Sequence, residues 1–126
     1  IRTLNVDDAE IIMQHYKLID NKDYLIDRLN KKMMFGIYES NQLAGFIGVH
    51  SEGSIGMLEI FPEYRRRGYG YILEAFVIEK LLDLGYTPYC HVVEGNDPSY
   101  KLQEKLGYTK ASKPSIWINI NKNPSI

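Results

Sequence analysis

The chain has 126 residues, a length that suits one domain with a core of its own and needs no disulfide or metal to close it. Its 15 basic and 16 acidic residues leave a net charge of −1, which excludes the broad basic excess of a general nucleic-acid binder, and no apolar run approaches the roughly 20 residues of a membrane-spanning helix. The single cysteine, Cys90, has no partner within the chain, and no charged-then-apolar leader opens it, so a reducing, cytoplasmic setting is the default expectation.

Ile1 to Leu4 reads as a short first strand. Val6 to Ile11 carries a helix start in which Asp7 caps, Glu10 reaches back and Val6 staples to Ile11; Ala9, Ile12, Met13, Tyr16 and Ile19 then recur at helical spacing. A second, shorter helix is expected from Asp23 to Asn30, with Leu25 and Leu29 one turn apart. From Met33 the period changes. Three extended runs, Met33 to Glu39, Leu43 to His50 and Ile55 to Phe61, are separated by Ser40-Asn41-Gln42 and Ser51-Glu52-Gly53-Ser54, the turn residues of an antiparallel meander.

Pro62 ends the third run and a long helix follows from near Gly70. Its expected inner face is Leu73, Phe76, Val77, Leu81 and Leu84, its outer face Glu74, Glu79, Lys80 and Asp83, and Gly85 closes it as a left-handed cap. Tyr86 to Val93 reads as a buried strand. Asp97 and Pro98 then start a brief helix that ends at Gly107, and Ser115 to Ile120 forms the last strand before six frayed residues. The order βααβββαβαβ predicts an α/β domain over residues 1–126, a mixed, mostly antiparallel sheet with helices on both faces. The chain starts at Ile1 and not at methionine, so the domain is also read as one that a longer chain can extend.

The segment richest in chemistry is Pro62-Glu63-Tyr64-Arg65-Arg66-Arg67-Gly68-Tyr69-Gly70, a basic, glycine-bearing turn between a strand and a helix. A helix N-terminus offers unpaired N–H groups and a partial positive charge to an anion; Gly68 and Gly70 allow close backbone approach, and the arginines add charge. A diphosphate is the natural guest, while a solvated basic loop is the bland reading. Arg65-x-x-Gly68-x-Gly70 at a strand-to-helix turn resembles the acyl-CoA loop of the GNAT superfamily. Met57-Leu58-Glu59-Ile60-Phe61 before it resembles that family's fourth strand, and Val93-x-x-Asn96-x-x-Ser99-x-x-Leu102-x-x-Lys105-Leu106-Gly107-Tyr108 after it is similar to the family's second signature. Pro62 to Arg65, Leu84 to Val92 and Ser115 to Ile118 further resemble the C-terminal domain of glycine N-acyltransferase-type proteins.

The resemblance implies the GNAT fold, with strands four and five parting in a V near Ile60 and Cys90, and acetyl-CoA or another acyl-CoA as donor. It implies coenzyme A contacts from Ile60, Phe61, Arg65, Arg66, Arg67, Gly68, Tyr69 and Gly70, with Asn96, Ser99 and Gln103 on the second signature; no metal is implied. The Ile60 N–H would hold the oxyanion. For the proton leaving the amine the candidates are Glu59, a carboxylate among apolar neighbours, and His91 on the adjoining strand. The glycine acyltransferase-type acid would fall at Ser54 by ungapped offset from Pro62. The superfamily's usual thiolate-protonating tyrosine is replaced by Gln103, which cannot serve; Tyr100, one turn earlier, is the substitute, with direct release to solvent beside it.

The function this implies is N-acyl transfer to a small-molecule amine or amino acid, by a monomer or by a homodimer joined along the last strand. Protein or peptide N-acetylation and a non-catalytic acyl-CoA sensor are the alternatives. Binding of nucleic acid through Arg65 to Arg67 is disfavoured by the net charge and by the lack of interleaved aromatic platforms.

Overall fold

The computed structural model describes residues 1–16, 21–91, 105–106, 109–110 and 116–118, with the backbone alone at residues 91, 109, 110 and 116–118. Within these residues the three extended runs become β2 (Met34–Glu39), β3 (Gln42–Val49) and β4 (Ile55–Ile60), an antiparallel meander whose first turn takes Ser40 and Asn41 to positive φ. β1 (Arg2–Thr3) pairs with β2, and β5 (Tyr89–His91), β6 (Thr109–Lys110) and β7 (Ile116–Ile118) extend the sheet on the far side. The strand order is β1-β2-β3-β4-β5-β7-β6, and the β4–β5 pairing alone is parallel. β6 was not expected: two residues are too few to display an alternation.

Alternation sorts the core onto the two faces of the sheet. Leu4, Met34, Phe46 and Met57 pack against Ile12 of α1 (Ala9–His15) and Leu25 and Leu29 of α2 (Lys22–Asn30). Phe35, Ile47, Val49 and Ile55 pack against Leu73, Val77, Ile78 and Leu81 of α3 (Tyr69–Asp83). Helices thus cover both faces, as the predicted architecture requires.

The helix ends depart from expectation in instructive ways. Asn5, and not Asp7, carries the cap before α1: its side chain accepts the Asp7 N–H at 2.9 Å, and Asp8 Oδ2 accepts the Asn5 N–H at 2.9 Å. A 3-10 turn over Val6–Asp8 fits between cap and helix, so the reciprocal pair lies two residues earlier than Asp7 and Glu10, and Val6 stays largely exposed. At the other end, Gly85 takes φ 87°. Its N–H donates to Leu82 O at 3.0 Å while Tyr86 N–H donates to Leu81 O at 3.0 Å, the paired bonds of a Schellman turn.

That turn ends α3 before Leu84, which is exposed with Phe76, whereas Ala75 and Ile78 join Leu73, Val77 and Leu81 inside. The buried stripe is rotated from the expected one. Glu74, expected outside, is only 5% exposed, and its charge together with burial pushes the Cys90 thiol up, burial being the larger cause. A thiol so held is a small core side chain and no nucleophile.

Candidate active site

β4 departs from regular pairing at its centre. Opposite Phe46 and Gly48 of β3 stand Glu59 and Gly56, so β4 holds one residue more than its partner in this interval. Met57 takes φ 53° there, the mark of a β-bulge. Among the described residues β4 and β5 meet at one register pair, Ile55↔Cys90, at the start of β4; the residues that follow His91 lie outside the description.

Beyond the bulge the backbone polarity can be followed. Phe61 N–H donates to Ala44 O of β3 at 2.9 Å. Since successive strand N–H groups alternate in direction, the Ile60 N–H faces the opposite edge, toward β5, and Leu58 N–H faces it too. The last residues of β4 therefore turn a row of backbone groups toward the β5 side.

The arginine loop closes the end of that row. Pro62–Tyr64 make one 3-10 turn, Arg66 takes φ 65° and Gly68 φ 79°, and α3 then starts at Tyr69. No side chain caps α3 and its first turn carries no acidic residue, so the dipole is left for an outside anion. The two glycines do different work. A Cβ on Gly68 would meet nothing within 4 Å, so the space outside it is open, while its φ is one that other residues rarely adopt. A Cβ on Gly70 would stand 3.9 Å from Leu58 Cδ2 and 4.0 Å from Ile60 Cγ1, an ordinary contact, so Gly70 sits where α3 meets β4.

The three arginines are also distinct. Arg65 folds back on β4, its Nε donating to Ile60 O at 2.9 Å and its Nη2 to Glu59 Oε1 at 2.9 Å. Arg67 Nη1 donates to Glu39 Oε1 at 2.6 Å and to Oε2 at 2.5 Å, and Tyr69 Oη donates to Glu39 Oε2 at 2.8 Å. The hydrogen bonds from Tyr69 and then Arg67 hold the Glu39 carboxyl below its usual range. Arg66 is exposed, and among the described residues it has no partner.

Of the expected proton-handling residues, Glu59 is half-buried on the α1 face and tied to Arg65. His91 lies on β5, opposite Ile116, with its ring outside the description. Asn96, Ser99, Tyr100 and Gln103 fall outside the described residues. Sequence reasoning passed over others. His15 stacks on Phe61 with ring centroids 3.8 Å apart, and Tyr16 ends α1 beside Glu59, its hydroxyl pKa raised by burial and then by that carboxylate. Glu39 was invisible as a loop partner because 28 residues separate it from Arg67. No group of three potential metal ligands occurs among the described residues, and no helix among them is long and apolar enough to cross a membrane.

The family model described as FR47-like protein matches residues 34–118. No curated protein matches by sequence. Solved structures match by shape: N-acetylglutamate synthase from Neisseria gonorrhoeae, complexed with coenzyme A and L-arginine, superposes with a TM-score of 0.77 at 17% identity over 94% of this chain. This chain spans 32% of that one, about a third of its length. A GNAT family acetyltransferase from Bacillus cereus ATCC 10987 gives 0.75 at 16% identity, with 94% of each chain covered. The ribosomal-protein-S18-alanine N-acetyltransferase from Escherichia coli gives 0.75 at 17% identity, covering 93% of this chain and 88% of that one. The parallel β4–β5 pairing in an otherwise antiparallel set, the bulged β4, the loop before α3 and a family match over two thirds of the sequence lead to one assignment: the chain belongs to the FR47-like family and has the GNAT fold.

Proposed function

We propose that this protein transfers an acyl group, most simply acetyl, from acyl-CoA to the amine of a small molecule or amino acid. The observation that carries the reading is the uncapped N-terminus of α3 behind the Arg65–Gly70 turn, set at the end of β4, the strand that pairs in parallel with β5 at its start. A diphosphate there would receive loop and helix N–H groups, with Arg66 and Arg67 supplying charge and Gly68 leaving the space. Ile60 and Phe61 at the strand end and Tyr69 at the helix start border the seat. The pantetheine arm would lie along β4 as an added strand.

The length of that arm sets where chemistry happens. From phosphate to sulfur it has about as many chain atoms as four residues, roughly 14 Å at 3.3–3.6 Å per residue. Four residues back from Ile60 is Gly56, so the thioester falls beside the bulge. Leu58 N–H then stands closer to the thioester oxygen than Ile60 N–H, which is left to the pantetheine. A backbone donor to the developing oxyanion contributes on the order of 3 kcal/mol in enzymes where it has been removed.

The synthase and the ribosomal-protein acetyltransferase, which act on very different amines, share the fold, so the acceptor class rests on this chain's own pocket and not on theirs. Isothermal titration with acetyl-CoA tests the donor seat: binding is expected in the micromolar range typical of substrates. Turnover is then tested with amino acids, polyamines and an N-terminal peptide. A folded protein that takes up no heat at millimolar acetyl-CoA would refute the reading; one that binds but acylates nothing would make it a sensor.

A further inference from the structure

Resting on that reading, we propose that His50, and not Glu59, takes the proton from the acceptor amine. His50 follows directly on β3, and the turn to β4 folds it back: its N–H donates to Ser54 O at 2.8 Å. The imidazole then lies over β4. A Cβ on Gly56 would come within 2.7 Å of Nε2, so the ring occupies the space that glycine leaves. Gly56 is one residue from the Ile55↔Cys90 junction and one from the Met57 bulge, the level at which the pantetheine arm ends.

Glu59 lies at the wrong end. It is level with the diphosphate, and its carboxylate holds Arg65, whose other bond fixes Ile60 O. Its position suits an anchor for the loop.

His50 is also oriented. Its Nδ1 lies 2.7 Å from Tyr24 Oη, and the Tyr24 oxygen accepts the Ser51 N–H at 3.2 Å, so the phenol is fixed from two sides. In the tautomer whose Nδ1–H donates to that oxygen, the basic lone pair is on Nε2, above Gly56. The rings stack at 6.0 Å and 17°. The charged and titratable groups around it are Tyr24 and Arg28 from α2, Glu52 from the turn, and Tyr89 from β5. Glu52 is close enough for its charge and that of His50 to interact, and Ser54 and Tyr89 hydrogen-bond its carboxylate. Arg28 is buried, its Nε donating to Val49 O at 2.9 Å. Arg28, His50, Glu52 and Tyr89 are among the residues that line a cavity of about 360 Å³, room for a small acceptor.

The step balances simply. The incoming ammonium gives one proton to Nε2, and the freed nitrogen pair forms the C–N bond at the thioester carbon. As the C–S bond breaks, the second nitrogen proton ends on the thiolate, leaving amide and free thiol, and the imidazolium returns its proton to water.

The test compares kcat/KM against pH for the parent, His50→Gln, Gly56→Ala, Tyr24→Phe and Glu59→Gln, using acetyl-CoA and the best amine of the panel, with acetyl-CoA binding measured on each. His50→Gln should lower kcat by roughly 10²-fold or more and remove the acidic limb, with acetyl-CoA affinity unchanged. Gly56→Ala, which pushes the ring aside, should lower kcat in the same way with the fold intact, and Tyr24→Phe should do so to a smaller extent. Glu59→Gln should alter the affinity for acetyl-CoA and keep the limb. A His50→Gln protein within twofold of parental turnover with its limb intact, or a limb lost in Glu59→Gln instead, would overturn the assignment. A parent that binds acetyl-CoA and acylates none of the panel would remove the reaction itself, and with it any base.

Discussion

The two ends of β4 are built by opposite rules. At its C-terminal end the working parts are neighbours in sequence, Arg65 to Gly70, and their chemistry is mostly backbone and charge. At its N-terminal end the parts are brought together by tertiary structure: Tyr24 and His50 are 26 residues apart, and Tyr89 and Glu52 are 37 apart. Local parts announce themselves as a motif, and assembled parts do not. The comparison also separates binding from chemistry, since changes at the loop end should move acetyl-CoA affinity and changes at the bulge end should move turnover.

The largest expected effect at the loop end comes from Gly68→Val. A branched side chain would be strained at φ 79° and would fill the open space, so acetyl-CoA affinity should fall about 100-fold or more, equivalent to about 2.7 kcal/mol. Calorimetric titration reads it directly; parental affinity would mean that the anion sits elsewhere. Next is Arg65→Gln, which removes the bridge between Glu59 and Ile60 O. It should weaken acetyl-CoA several-fold while the shape of the pH profile stays parental, and a changed limb would join the two ends that we separate.

How much was legible follows from the same contrast. The loop, the long helix and its Gly85 turn could be read because each is a local pattern with a mechanical cause. The antiparallel meander was equally plain from its turn residues. The bulge was not, because nothing in Met57-Leu58-Glu59 distinguishes an extra residue from a regular strand. His50 was read as the last residue of a strand, and only the register that places it above Gly56 gives it a task. A histidine directly before a Ser-Glu-Gly-Ser turn was the one available signal. The burial of Glu74 could not be foreseen either, since the rotation of α3 is fixed by where it meets β2, β3 and β4.

Smaller effects sharpen the picture. Glu39 competes with the anion for Arg67, so Glu39→Gln should tighten acetyl-CoA binding by roughly 2–3-fold, most visibly at low salt. The same substitution tests a pH effect of defined sign. The Glu39 carboxyl is held below its usual range in the folded protein, so its pairing contributes stability above the ordinary carboxyl range near 4.3, and this contribution is lost as the pH falls through the lowered value. Acid unfolding of Glu39→Gln should accordingly be shallower than that of the parent below about pH 4.5. Because the pair is exposed, the change is expected to be small. The smallest effect belongs to Gly70→Ala, whose new methyl would make only ordinary contacts with Leu58 and Ile60; affinity should stay within about twofold, against the 100-fold loss at Gly68.

The bulge at Met57 acts on β4 as a phase shift. Glu59 and Met57 point to the α1 face, but the next step of two does not continue the series, because Ile55 packs toward α3 and it is Gly56 that lies under His50. An acidic residue carried to Ser54 by counting back from Pro62 therefore crosses a change of frame, and the count alone cannot say which face it reaches. Deleting one residue from the bulge would leave a single residue opposite Ile47, so Gly56 and Glu59 would both keep their faces and β4 would lose only the local kink at Met57. The extra residue is therefore a local device: the domain would keep its sheet register without it and lose the irregular backbone beside Gly56.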